Sequence, residues 1–187
     1  MNTVAKPQWK TLDRFVEIKS DWVKLIGEHL ETGEGQIVEY WRVERADSVV
    51  ILTIQADKFL FPAPMYRPGV GEATLDFPGG RVPAGATAAA AVPAIIKREL
   101  GVSESAIAHI EPLNLIGWAI NSSFSNQKLY GFVAELHPKA TVNPELIGAT
   151  YSVTPTGISD LLTKLTCLQC RALLLEWQNQ SILDFRF

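Results

Sequence analysis

The residues best suited to chemistry in this chain lie in residues 79–102, GGRVPAGATAAAAVPAIIKRELGV. The segment opens on two glycines, and Arg98 and Glu99 stand side by side near its end, just before Gly101. Glu99 could be a metal ligand, since Mg²⁺ takes oxygen ligands, or it could pair with Arg98 or accept hydrogen bonds from the glycine turn. Arg98 could neutralise a bound phosphate with its guanidinium, or it could be a solvated surface side chain. The pattern predicts a glycine turn and then a helix that carries both side chains and ends at Gly101.

The spacing of this segment resembles the Nudix box, G-x5-E-x7-R-E-apolar-x-E-E-x-G-apolar. The positions that agree with the box are Gly80, Ile96, Glu99, Gly101 and Val102. The positions that depart from it are Ala86, Ile95 and Arg98, where the box has glutamate, and Ala94, where it has arginine. In the Nudix family the box carboxylates hold divalent metal, which neutralises phosphate oxygens and lowers the pKa of the attacking water. The resemblance therefore implies a pyrophosphohydrolase fold with lost or reduced hydrolysis.

Two further segments resemble the ADP-ribose pyrophosphatase branch of the Nudix family. Residues 66–80, YRPGVGEATLDFPGG, resemble its tyrosine–arginine strand and the E-x-P-x-G that follows. Residues 117–136 resemble its S-P-G-F-S-D-E loop and the next strand, with Asn126 and Gln127 in the places of the two acids. The resemblance implies one residual catalytic and metal-binding glutamate, Glu99, and a substrate-binding set of Tyr66, Arg67, Glu72, Gly80 and Arg98.

Three functions are open for this site. The first is binding of a nucleotide or nucleotide sugar with little or no hydrolysis, and it needs no cofactor. The second is an active but atypical hydrolase of nucleoside diphosphate derivatives, in which Glu99, with Glu72 or Asp76, holds Mg²⁺ or Mn²⁺. The third is a non-catalytic interaction protein. Tyr66 and Arg67 could contact the nucleotide, or Tyr66 could pack on the sheet while Arg67 pairs with Glu72 or Asp76.

The elements that must position these residues imply an α+β chain. The resemblance implies the Nudix fold, an α/β/α sandwich around a mixed β-sheet, with an N-terminal antiparallel β lobe. We therefore predict a single domain over residues 1–187, with the lobe at residues 1–45 and the Nudix core at residues 46–187. The resemblance also implies a homodimer, because the N-terminal lobe commonly builds the dimer in this branch.

Local patterns predict the individual strands and helices. Strands are expected at residues 22–30, 37–44, 49–55, 73–77, 111–119 and 129–136, while residues 9–21 show no clear period. Pro62 and Pro64 predict that a strand in residues 58–65 is broken or lies at an edge. Pro93 predicts that the box helix starts near it or is kinked there. Apolar residues at helical spacing predict one long helix over residues 156–177, capped by Thr156 or Ser159.

Cys167 and Cys170 form a C-x-x-C pair within that predicted helix. Such a pair can be redox-active or half of a zinc site, but on a leucine-rich helix face it is more typical of core packing.

Composition excludes some partners. The chain has 187 residues and a formal net charge of −3, which provides no electrostatic basis for binding nucleic acid or an anionic membrane. Its apolar runs are shorter than the roughly 18 residues of a membrane helix. Residues 1–19 are too polar for a signal peptide. We therefore expect a cytoplasmic protein.

Overall fold

The computed structural model describes residues 9–184, so residues 1–8 and 185–187 of the predicted domain lie outside the described part of the chain. The chain forms two compact units. One comprises the chain up to Ala46 together with Ala119–Gln127, and the other comprises Asp47–Trp118 and the chain from Lys128 onward. The single domain with a lobe at residues 1–45 and a core at residues 46–187 stays a prediction.

The first unit contains a three-stranded antiparallel sheet, as expected for the N-terminal lobe. Its strands, in the order β1-β2-β3, are β1 (Lys10–Lys19), β2 (Lys24–Glu31) and β3 (Ile37–Glu44). The predictions for β2 and β3 are confirmed to within two residues at each end. The residues of β1 showed no period because two register shifts interrupt its pairing with β2, one between Thr11 and Asp13 and one between Arg14 and Val16.

The remaining strands build a mixed seven-stranded sheet and a separate hairpin. In chain order they are β4 (Ser48–Gln55), β5 (Lys58–Pro62), β6 (Met65–Arg67), β7 (Glu72–Thr74), β8 (Gly79–Arg81), β9 (Ile107–Pro112), β10 (Trp118–Ala119), β11 (Lys128–Leu136) and β12 (Ile147–Ser152). The sheet runs β10-β11-β4-β5-β12, with β8 also paired to β4 and β9 to β11, while β6 and β7 form the hairpin. Strands β4 and β11 pair in parallel. Each strand is largely apolar, which explains why both could be predicted.

Three helices pack against this sheet and confirm the α+β class. They are α1 (Ala88–Leu100), α2 (Pro155–Lys164) and α3 (Leu168–Asp184), with a 3₁₀ turn at Glu104–Ala106. Side chains alternate along β5, so Leu60 joins the buried cluster that contains the apolar face of α1. Phe59, on the opposite side, packs edge-on against Trp177 of α3 at a ring-centroid distance of 5.1 Å. None of the helices in the described part of the chain combines the length and apolar character needed to cross a membrane.

Helix α1 begins earlier than predicted. It starts at Ala88 because the Thr87 side chain accepts a hydrogen bond from the N–H of Ala90 at 3.2 Å, which caps the first turn. The alanines that follow have the highest helix propensity, so the helix runs through Pro93 instead of starting there. The helix ends at Gly101 as predicted, with the φ of +68° that glycine tolerates best.

The predicted helix over residues 156–177 is two helices. The Thr154 side chain caps α2 by accepting from the N–H of Gly157, so neither Thr156 nor Ser159 is the cap. Helix α2 then stops, and Arg171 of α3 donates hydrogen bonds to the carbonyls of Leu162 and Leu165. This guanidinium satisfies carbonyls that a continuing helix would have bonded.

Three strand predictions also need correction. The strand expected at residues 73–77 is β7, which ends at Thr74. The strand expected at residues 111–119 is divided between β9 and β10. It stops at Pro112 because the side chain of Asn114 occupies two backbone groups of β11, donating to the Leu129 carbonyl and accepting from the Gly131 N–H. Strand β5 is not at an edge, since it lies between β4 and β12. Pro62 is tolerated because it is the last residue of the strand.

Candidate functional site

Strand β8 and helix α1 bring Gly80 and Arg98 together. Gly80 pairs with Val49 of β4, which anchors β8 on the sheet. A Cβ atom added to Gly80 would lie 3.1 Å from Nη2 of Arg98 and 3.2 Å from the side chain of Ile95. A larger residue would therefore require the side chains of Arg98 and Ile95 to shift by a few tenths of an ångström. The glycine predicted to take the first position of the box is the residue that allows this close approach.

Arg98 links Glu99 to the glycine strand. Its Nε and Nη2 donate to the same carboxylate oxygen of Glu99 at 2.9 Å and 2.8 Å. Nη2 also donates to the carbonyl oxygen of Gly79 at 2.8 Å. The Arg98 side chain is 59% exposed and that of Glu99 is 16% exposed. Of the alternatives open for Glu99, the structure contains the pair with Arg98.

Ile95 belongs to the core and not to the surface of the site. Its side chain is 3% exposed and packs in the cluster formed by α1, β4 and β11. Helix α1 thus presents Arg98 and Glu99 outward while Ile95 faces the sheet. The C-terminal end of a helix carries partial negative charge, which favours the positively charged Lys97 and Arg98 in the last turn.

Tyr66, Arg67 and Glu72 meet in the β6–β7 hairpin. Glu72 lies opposite Arg67 in the strand register, but the Arg67 guanidinium pairs with Asp76, its Nε and Nη2 donating to Oδ2 at 2.9 Å and 2.7 Å. The hydroxyl of Thr74 donates to the same oxygen at 2.9 Å. The Tyr66 ring is 62% exposed and is not packed into the core. The hairpin therefore carries an exposed ring at Tyr66 and, at the next residue, an arginine that a carboxylate holds in place.

Asn126 and Gln127 have structural contacts within the first unit. Oδ1 of Asn126 accepts a hydrogen bond from the backbone N–H of Arg45 at 2.9 Å. Nε2 of Gln127 donates to the carbonyl of Ala46 at 2.7 Å, and the Gln127 side chain is buried. An aspartate at residue 126 could accept the same bond, but a glutamate at residue 127 could not donate, so this contact requires the amide.

The cysteine pair was wrongly predicted to share one helix face. Cys167 directly precedes α3 and is only partly buried, whereas Cys170 lies inside the helix and is buried. The pKa of Cys167 is lowered to about 6, chiefly because the Cys170 thiol hydrogen-bonds to its sulfur. The same hydrogen bond and burial raise the pKa of Cys170 well above its usual value. Both sulfurs lie within 4.8 Å of a carboxylate oxygen of Asp76. The C-x-x-C spacing was the only signal of this cluster in the sequence.

Comparison with known proteins now adds to this geometry. No protein-family model matches the chain, and no curated protein matches it. Among solved structures, the crystal structure of an ADP compounds hydrolase, a Nudix protein, matches with a TM-score of 0.75 and 19% sequence identity, covering 100% of each chain. The fold is Nudix-like. At this identity the likeness establishes the Nudix-like fold, α+β with a mixed sheet and an antiparallel N-terminal sheet, and does not extend to activity.

Proposed function

We propose that this Nudix-fold chain binds a nucleoside diphosphate derivative of the ADP-ribose type and hydrolyses it slowly or not at all. The observation that carries the proposal is the Arg98 guanidinium, which bridges Glu99 and the Gly79 carbonyl at 2.8 Å each. Its positive charge neutralises Glu99, which is the single Asp or Glu in residues 79–102. A guanidinium is well suited to bind a phosphate without metal.

The residues at the box positions do not fit a divalent cation. Mg²⁺ and Mn²⁺ are hard ions that need several oxygen ligands in octahedral geometry. Glu99 is already engaged by Arg98, Ile95 has no ligand atom and faces the core, and Arg98 repels a cation. We therefore derive no hydrolytic step through metal. A nucleotide ligand is supported by the exposed ring of Tyr66 and the guanidinium of Arg67 in the same hairpin, and by the fold shared with a protein described as an ADP compounds hydrolase.

Two measurements on three proteins test the proposal. ADP-ribose binding is measured by titration calorimetry without metal, and AMP release is measured with Mg²⁺ or Mn²⁺. The variants are Arg98→Glu, which restores a carboxylate, and Lys97→Glu, which makes the same charge change at the neighbouring exposed position of α1. Ile95→Glu is avoided, because it would bury a carboxylate in the core.

We expect the native chain to bind ADP-ribose without metal and to release AMP far more slowly than about 1 per second, the lower end of typical enzyme turnover. Arg98→Glu should weaken metal-free binding by at least about tenfold, since a charge-assisted contact to phosphate is lost, and Lys97→Glu should not. Native turnover above that rate would show that the chain is an active hydrolase. Absence of metal-free binding in the native chain would overturn the binding role and favour the interaction-protein alternative.

The assembly and location of the chain form part of the same proposal. We propose a cytoplasmic homodimer joined through the three-stranded sheet of the first unit. This is supported by exposed apolar side chains on β1 and β3, among them Ile18 at 62% and Ile37 at 67% exposure.

A further inference from the structure

Three potential metal ligands lie together away from Arg98 and Glu99. The sulfurs of Cys167 and Cys170 and a carboxylate oxygen of Asp76 all lie within 4.8 Å of one another. They come from two distant parts of the chain, because Asp76 follows β7 while the cysteines lie at the start of α3. We propose that this cluster is a zinc-binding site that joins the β7–β8 link to the start of α3.

The Asp76 carboxylate offers one oxygen for this role. Its Oδ2 accepts hydrogen bonds from Arg67 and Thr74, whereas Oδ1 is buried and has no hydrogen-bond partner among the described residues. Leaving a buried acceptor without a partner costs free energy, and a bound cation removes that cost. Arg67 and Thr74 also fix the orientation of the carboxylate, as outer partners of metal ligands commonly do.

The spacing of the three atoms suits a small cation after a modest contraction. Zinc bonds of about 2.3 Å to sulfur and about 2.0–2.2 Å to oxygen put tetrahedral ligand atoms about 3.5–3.8 Å apart. From the present limit of 4.8 Å, each pair needs to close by about 1.3 Å at most. Rotation of three side chains can supply that movement, so the backbone of α3 need not shift.

Charge and ligand type select the metal. Two thiolates and one carboxylate carry three negative charges, of which zinc offsets two and the Arg67 guanidinium, 2.7 Å from Oδ2, offsets the third. Thiolates favour Zn²⁺, whereas Mg²⁺ and Ca²⁺ prefer oxygen ligands. Because Cys167 is only partly buried, a water molecule can complete the tetrahedron. The zinc would thus hold Asp76, and through it Arg67, in position.

The test is a titration of the full chain, reduced with a phosphine, with Co²⁺ as a spectroscopic probe for zinc. We expect thiolate-to-cobalt charge-transfer absorption that saturates at one equivalent, disappears on adding one equivalent of Zn²⁺, and persists in excess Mg²⁺. Asp76→Asn and Cys167→Ser should each weaken Co²⁺ binding by at least about 100-fold, the upper range for losing an outer partner of a ligand. Asp160→Asn, an exposed carboxylate on α2, should bind as the native chain does.

Three results would overturn the site. The first is a native titration without charge-transfer absorption at one equivalent, which needs no variant to be interpreted. The second is native-like binding by Asp76→Asn, since the carboxylate would then not be a ligand. If Asp76→Asn does not fold, Cys167→Ser decides the question, because its position is half-exposed and precedes the helix. Co²⁺ binding that Cys167→Ser leaves unchanged would likewise reject the site.

Discussion

Glu28 shows how one buried side chain can hold three strands together. Its carboxylate is 3% exposed and accepts hydrogen bonds from Arg42 of β3 at 2.6 Å and from Arg14 of β1 at 3.3 Å. Glu28→Gln should lower the free energy of unfolding by about 1–3 kcal/mol, the range for hydrogen bonds to charged groups. Denaturant unfolding followed by tryptophan fluorescence measures this difference. The matched control is Glu17→Gln, whose carboxylate is 45% exposed, and it should change stability by less than about 1 kcal/mol.

The same residue gives a pH dependence with a definite sign. The hydrogen bond from Arg42, the charge of Arg42 and the contacts of Arg14 hold the pKa of Glu28 below its usual value of 4.5. A carboxyl whose folded pKa is depressed contributes its full stability above the unfolded pKa and loses it as pH falls through the folded pKa. The stability difference between the native chain and Glu28→Gln should therefore be largest near about pH 7 and shrink toward about pH 3. A difference that stays constant over this range would mean that the pKa of Glu28 is the same in the folded and the unfolded chain.

At the scale of elements, helix α1 contains a proline that destabilises it. Pro93 is the sixth residue of the helix, where its nitrogen cannot donate to the carbonyl of Ala89. Pro93→Ala should raise the free energy of unfolding by about 1–3 kcal/mol, which is the cost of an interior proline less the entropy that proline removes from the unfolded chain. Pro83→Ala, in the exposed turn after β8, should instead lower stability by up to about 1 kcal/mol. A stability loss in Pro93→Ala would show that the ring is needed where it packs.

The elements that could be predicted from sequence are those whose burial follows a simple period. Strands β4 and β11 are mostly apolar because they form the parallel pair inside the sheet. The residues of β1 show no apolar period because two register shifts interrupt the pairing of β1 with β2. The break between α2 and α3 was missed because it depends on Arg171, a side chain of the second helix that bonds to the carbonyls of the first. Such a long side-chain contact has no local sequence signal.

The candidate sites divide in the same way. Gly80, Arg98 and Glu99 lie in one short segment, and the pair of Arg98 with Glu99 was one of the alternatives that the sequence offered. Asp76 and the two cysteines lie far apart in the sequence, with strands β8–β12 between them. Only the fold brings their ligand atoms within 4.8 Å of one another. Their proximity depends on α3 starting at Leu168, which the sequence interpretation of one continuous helix concealed.

At the scale of the whole molecule, the first unit exposes many large apolar side chains. Among the described residues of this unit, the large apolar side chains with at least 40% exposure are Trp9, Leu12, Phe15, Ile18, Trp22, Ile37, Trp41 and Phe124. Clustered exposed apolar residues are typical of interaction surfaces. A second copy of the chain would cover them, and burial of this surface would provide the association energy.

Ile18→Lys and Ile37→Lys test the dimer with little risk to the monomer. Both positions are more than 60% exposed, so lysine there should change monomer stability by less than about 0.5 kcal/mol. In a dimer interface the buried ammonium would be desolvated, and the dissociation constant should rise at least about tenfold, equal to about 1.4 kcal/mol. Sedimentation equilibrium measures this constant. Leu115→Lys makes the same change at an 86% exposed position of the second unit and should leave association unchanged. A native chain that sediments as a monomer, or variants that associate as tightly as the native chain, would reject the β1–β3 sheet as the interface.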